Sequence, residues 1–88
     1  MEIKIDTTFQ RDTRRIKDRA VRHRIANTIE SVQRAKSFQE IKNLKKLGGT
    51  KSMYRIRIQD YRLGIQIEGN TVVFIRCLHR KDIYKFFP

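Results

Sequence analysis

The sequence predicts a single α+β domain spanning residues 1–88, with two amino-terminal helices packed on one face of an antiparallel sheet of about four strands. Two patterns predict it. In Tyr54-Arg55-Ile56-Arg57-Ile58, and again in Tyr61-Arg62-Leu63-Gly64-Ile65-Gln66-Ile67, apolar and polar residues alternate, and successive side chains of a strand point to opposite faces. Upstream, Val21, Ile25, Ile29 and Val32 recur at helical spacing, which draws one apolar stripe along an amphipathic helix. Helices first and consecutive strands after is the order of an α+β domain.

Taken from the amino terminus, Glu2-Ile3-Lys4-Ile5-Asp6 alternates and reads as a short first strand. Thr7 and Gln10 have capping-box spacing, so a helix begins there, with a thin seam of Phe9, Ile16 and Ala20 among arginines and lysines. No Gly or Pro separates it from the Val21–Val32 stripe, and a tight helical hairpin around Asp18-Arg19 is expected. Ser37-x-x-Glu40 repeats the capping spacing and opens a short helical turn with Phe38, Ile41 and Leu44 inward, ended by Lys45 to Gly49 as a flexible loop. Gln59-Asp60 and Glu68-Gly69-Asn70 are hairpin connections between the strands. Thr71-Val72-Val73-Phe74-Ile75 is apolar on both faces, as a central strand is, and the aromatic segment from Asp82 to Phe87 closes back on the sheet.

A chain of 88 residues supports one modest core, and its formal charge of +12 is extreme for that length. The 21 Lys and Arg against 9 Asp and Glu run through the whole chain, so the charge belongs to a folded basic surface and points to nucleic acid, an anionic membrane or an acidic protein as partner. One cysteine, Cys77, forms no intramolecular disulfide and sits in an apolar run as a small buried hydrophobe. Neither a signal peptide nor an apolar stretch of spanning length is read, so the cytoplasm is the default location.

His23 and His79 lack a ligand-spaced partner, no phosphate-binding glycine loop is present and no carboxylates cluster; a metal or cofactor is not expected. What stands out is an arginine surface beside a tyrosine and a histidine. Arg55 and Arg57 share one strand face and Arg62 joins them from the next strand. Such a face repels itself unless an anion sits on it. Arginine serves as a phosphate clamp and stabilises transition-state charge. A metal-free ribonuclease adds only a base for the 2′-hydroxyl and an acid for the departing 5′-oxygen, for which His79 and Tyr84 are the candidates. The alternative is a solvated sheet face, with Tyr84 packing its ring and His79 capping a strand. Strand parity sets His79 and Arg80 on opposite faces unless the strand ends or bulges there.

Four motifs in order carry a family resemblance: Lys46-Leu47-Gly48-Gly49, Tyr54-Arg55-Ile56-Arg57, Asp60-Tyr61-Arg62 and His79-Arg80-Lys81-Asp82-Ile83-Tyr84. Together with Phe9-Gln10-Arg11-Asp12 and the helical pair, they resemble the RelE/ParE superfamily of bacterial and archaeal type II toxins over essentially the whole chain. The resemblance implies a compact RelE-like fold and, for the RelE branch, cleavage of mRNA in the ribosomal A site. It implies that Arg55 and Arg57 steady the phosphate, that Arg62 is a further phosphate ligand, and that Arg80 is the acid or charge stabiliser. Tyr84 is implied to stack on a base and to act as general base, with His79 the acid–base group of several relatives. Lys46, Lys51 and Lys81 are expected to add phosphate-binding charge.

The ParE branch shares this fold but poisons DNA gyrase, and a third class of relative only binds RNA or a partner. A small antitoxin encoded alongside is the implied protein partner, through which any DNA binding would come; mRNA and the ribosome are the implied targets, and no membrane partner is expected. An acidic, partly disordered antitoxin segment suits the charge of this domain.

Overall fold

The computed structural model describes all 88 residues. In chain order the elements are strand β1 (Glu2–Ile5), helices α1 (Thr7–Arg14) and α2 (Arg19–Arg34), a single 3-10 turn (Phe38–Glu40), strands β2 (Leu44–Lys46), β3 (Met53–Ile58), β4 (Tyr61–Glu68) and β5 (Thr71–His79), and the short helix α3 (Ile83–Phe86). The α+β class, the helical hairpin and both strand hairpins stand as read from the sequence. Asp18 makes the break between α1 and α2 because its carboxylate accepts from the amides of Ala20 and Val21 and so caps α2.

Two features of the sheet differ from expectation. It has five strands in the order β1-β5-β4-β3-β2, and it is mixed, because β1 runs parallel to β5 while the other pairs are antiparallel. The additional strand, β2, lies where a helical tail and loop were expected. Asn43 starts it from a positive φ of 62°, a conformation asparagine tolerates. Its three residues pair with Ile56, Arg55 and Tyr54, and its two exposed lysines suit an edge strand, which charge keeps from pairing with another chain.

The alternation seen in the sequence sorts the sheet's two faces. Ile56 and Ile58 of β3, Leu63, Ile65 and Ile67 of β4, and Val72, Phe74 and Cys77 of β5 are buried in one core with Phe9, Val21, Ile25 and Val32 of the helices. Phe74 and Cys77 are three residues apart yet share this face. The reason is a bulge: Ile65 pairs with Phe74 and Gly64 with Arg76, leaving Ile75 as the extra residue that resets the alternation. On the opposite face a smaller cluster of Leu47, Ile83 and Phe87 holds α3 against Met53, Ile75 and Leu78.

Helix α1 has a role that its composition conceals. β1 ends at Ile5, opposite Phe74, and beyond that point α1 covers the exposed edge of β5 with side chains. The hydroxyl of Thr8 donates to the carbonyl of Ile75 at 2.8 Å. One turn later, the Asp12 carboxylate accepts from the Cys77 amide at 3.0 Å and from Arg76 Nε at 2.8 Å. The amide of Cys77 would otherwise be a buried, unmatched donor.

Several local expectations are corrected. The cap position of α1 is Asp6, without a side-chain bond, and Ser37 likewise makes none; only Glu40 reaches back, to the Lys36 amide. Ala20 is exposed where the seam was expected. Phe38 is also exposed, tilted against Tyr54 with ring centroids 6.2 Å apart, and Leu44 belongs to β2 and not to a helical turn.

Candidate functional site

The site is the face of the sheet away from α1 and α2. On β3 and β4 every second residue points there, and antiparallel pairing sets Arg57 directly opposite Arg62 and Arg55 opposite Gly64. Lys45 of β2 stands opposite Arg55, and Leu78 of β5 opposite Arg62. Arg80, the first residue past β5, is tied to the β3–β4 turn by its amide, which donates to the Asp60 carbonyl at 2.7 Å. Arg57, Arg62 and Arg80 line one open cleft.

Two of the arginines are held in direction without being neutralised. Arg55 donates from Nη1 to the carbonyl of Asn43 at 2.8 Å. Arg62 donates from Nη1 to the carbonyls of Gln59 at 2.7 Å and Tyr61 at 3.0 Å. Gln59 offers its carbonyl from a positive φ of 51° in the two-residue turn. Arg57 is exposed with no carboxylate partner, and Arg80 has only a loose one, Asp60 at 3.8 Å, with both side chains more than half exposed. An exposed pair of that length contributes little.

Arg62 is the electrostatic centre. Partial burial pushes its guanidinium below the ordinary arginine range, and Arg55, Arg57 and Arg80 add like-charge repulsion while Tyr84 opposes it. The four groups that act on it are all members of the expected site. An arginine cannot shed its proton near neutral pH, so the repulsion is stored until an anion arrives.

Tyr84 is 62% exposed on α3, with Phe86 beside it at 58%. Tyr84 is close enough to Arg62 to act on its charge, so its exposed ring offers a surface on which a nucleobase can stack while its phosphate is held. What fixes α3 is Phe87, 3% exposed, whose ring lies on the bare backbone of Gly64: a Cβ there would sit 2.7–2.9 Å from the ring carbons. Gly64 thus places Tyr84, although it carries no side chain. Arg76 lies 5.7 Å over the Phe86 ring and joins the same segment to Asp12.

Two expected members lie elsewhere. His79 is paired with Tyr61 and so shares the helix-side face, edge-on to the Tyr61 ring at 5.7 Å, with Nδ1 accepting from the Lys81 amide. The only bulge in β5 is at Ile75, too far back to turn His79 toward Arg62. Lys46 is opposite Tyr54, on the face away from Arg55; its neighbour Lys45 takes the place expected of it. Lys51 and Lys81 are exposed, in the loop before β3 and in the turn after β5. Sequence reasoning missed Lys45, Gly64 and Asn43. Gly64 carried a signal, since it interrupts the alternating face at the middle of β4. No group of three or more His, Cys, Asp or Glu is gathered where it could share a metal ion.

Residues 3–84 match the sequence model of the ParE toxin family, the toxin of parDE type II toxin–antitoxin systems. The chain is 39% identical over 89 residues to Toxin RelE3 of Methanocaldococcus jannaschii, covering 100% of both chains. Its structure resembles that of the RelB–RelE antitoxin–toxin complex from Methanococcus jannaschii, with a TM-score of 0.81 and 38% identity over 97% of this chain and 99% of that one. It also shares the fold of the RelBE2 toxin–antitoxin complex from Mycobacterium tuberculosis, with a TM-score of 0.71 and 22% identity over 90% of this chain and 96% of that one.

Proposed function

This chain belongs to the RelE/ParE superfamily of type II toxins, and from that premise we propose that it is a metal-free endoribonuclease that cuts mRNA in the ribosomal A site. The observation that carries this reading is the set of guanidinium groups gathered around Arg62, of which only Arg80 has a carboxylate partner and that a loose one: Arg57 opposite Arg62, with Arg55 and Arg80 close enough to act on its charge. In the proposed reaction the 2′-oxygen attacks the scissile phosphorus, the bond to the 5′-oxygen breaks, and a 2′,3′-cyclic phosphate and a 5′-hydroxyl result. Arg57, Arg62 and Arg80 hold the non-bridging oxygens where charge builds, the contribution that mutagenesis commonly finds largest. Tyr84 stacks on the adjoining base and, in its phenolate form, takes the 2′-proton, while the departing 5′-oxygen draws its proton from solvent water. His79, turned to the other face, has no part in the reaction.

The relatives solved as toxin–antitoxin complexes support a second part of the reading, a cognate antitoxin; the charge of this domain suits an acidic antitoxin segment laid across the arginines. Operator binding then belongs to the antitoxin.

The test is primer extension on a reporter mRNA after expression in cells, beside a plasmid supercoiling assay. Cuts near the start codon that Arg62→Ala and Arg80→Ala each weaken by ~100- to 1,000-fold are expected. Unchanged cutting in both variants refutes the assignment. Since the matching family model describes ParE toxins, the second reading is a gyrase poison: intact mRNA with relaxed or cleaved plasmid would establish that reading instead.

A further inference from the structure

The arginine face does not end at the sheet. β2 is only three residues long and begins opposite Ile56, so past that point Arg57 and Ile58 form an open edge, touched only where the Arg57 amide donates to the Asn43 carbonyl. Around this edge an open cleft of about 700 Å³ runs from Arg57, Arg62 and Arg80 to the outer side of α2. Its far wall is Arg24, Asn27, Thr28 and Ser31, one stripe of the helix at spacings of three and four. Lys42 closes it from the segment before β2.

We infer that this cleft is a second phosphate-binding subsite, which takes the sugar–phosphate backbone of single-stranded RNA running on from the scissile bond. The inference rests on the nuclease reading. Its chemistry is that of a polyanion site. Five cations line the cleft against one acid, Asp60, which already faces Arg80. Only 3 of the 14 lining residues are hydrophobic, too few to anchor a protein segment, which needs apolar side chains to bury. The apolar groove on the other side of α2, lined by Ile5, Phe9, Ile25 and Ile29, offers what a protein segment requires. A nucleic-acid backbone requires cations and amide donors along a track, and the stripe from Arg24 to Lys42 supplies them. It also accounts for a basic residue on α2 that neither the core nor the sheet face uses.

The experiment measures binding of non-cleavable 2′-O-methyl RNA, a trinucleotide and a dodecanucleotide, to the full chain and to Arg24→Ala/Lys42→Ala over a range of salt. Both side chains are exposed, so the variant should fold; circular dichroism checks this, and Arg24→Gln/Lys42→Gln is the substitute if it does not. Trinucleotide binding should be unchanged. The dodecanucleotide should lose about 1.4 from the magnitude of its log–log salt slope, at ~0.7 per phosphate contact on a single strand. An unchanged slope overturns the subsite. So does an oligoglutamate of equal charge whose binding depends on Arg24 and Lys42 as strongly as RNA binding does, since the cleft would then be a protein site. Arg57→Ala separates the two readings: it should weaken both oligonucleotides, and if it weakens neither, it is the nuclease reading of the sheet face that fails.

Discussion

Replacing Gly64 by alanine tests whether packing on the site face, and not only charge, sets activity. The added Cβ would lie 2.7–2.9 Å from Cγ, Cδ1 and Cδ2 of Phe87. These atoms form the base of the ring, nearest the Phe87 backbone, so no rotation of the ring tip relieves the contact. The residue must lift off, and with it α3, which ends one position earlier. Overpacking of this kind costs ~1–3 kcal/mol, and for a domain of this size ~2 kcal/mol lowers the melting temperature by about 8–16 °C. Tyr84 moves with α3, and a displacement of about 1 Å at a reacting group can cost ~100-fold in rate. Thermal melting and primer extension read the two effects. The decisive control is Phe87→Ala: in that background the clash is gone, and Gly64→Ala should stabilise by ~0.5–1 kcal/mol, because a strand interior favours alanine over glycine. Equal destabilisation in both backgrounds would refute the account.

The remaining predictions concern single groups. Asp12→Ala should cost ~3–5 kcal/mol in urea unfolding, because it strands Arg76 and the Cys77 amide, whereas Asp12→Asn, which keeps an acceptor, should cost less. His79→Ala should leave cutting at the parental level; a loss as deep as that of Arg62→Ala would put His79 back in the site. Burial, with the Asp12 charge adding to it, raises the Cys77 thiol from 9.0 to about 12. The unfolded chain therefore releases this proton first, and stability should be unaffected below pH 9.0 and fall above it by ~1.4 kcal/mol per unit until about pH 12. Cys77→Val should lack that extra slope. Arg57→Glu should raise stability by ~0.2–1 kcal/mol at low salt, as an opposite charge meets Arg62, while abolishing cutting. The gain should shrink as salt screens the pair.

What the sequence showed, it showed through periodicity. Tyr54 to Ile58 and Tyr61 to Ile67 alternate over enough residues to fix both faces of the two strands, and that alternation alone brings Arg55, Arg57 and Arg62 together. Parity also set His79 against Arg80, and the structure keeps that opposition. Where the period is too short, nothing could be read. Leu44–Lys46 is a three-residue strand that exists because β3 offers it an edge, and without that strand the facing of Lys45 and Lys46 had no parity to follow. The pairing of β1 is likewise a tertiary fact, since Glu2–Ile5 alternates equally well beside any strand. Nothing local to Asp12 announces its role, because its partners, Arg76 and Cys77, lie 64 and 65 residues away.

The way the arginines are anchored explains why a self-repelling face survives in so small a domain. A carboxylate would hold a guanidinium firmly, as Asp12 holds Arg76 at 2.8 Å, but it would also cancel the charge and occupy the donors that a phosphate needs. At the site the anchors are carbonyls: Asn43 for Arg55, and Gln59 and Tyr61 for Arg62. A carbonyl fixes one Nη1 and leaves the positive charge uncancelled, so direction is set while the field is kept, although Arg55 Nε is itself buried without a partner. Two of these three carbonyls come from residues with positive φ, Asn43 at 62° and Gln59 at 51°, backbone conformations that are sparsely populated outside glycine. The strain at these turns and the repulsion between Arg57 and Arg62 have one effect in common. Both are costs the empty protein bears, and the second is relieved when an anion binds. A face arranged this way favours the state carrying most negative charge, which in the proposed phosphodiester cleavage is the crowded phosphorane and not the substrate.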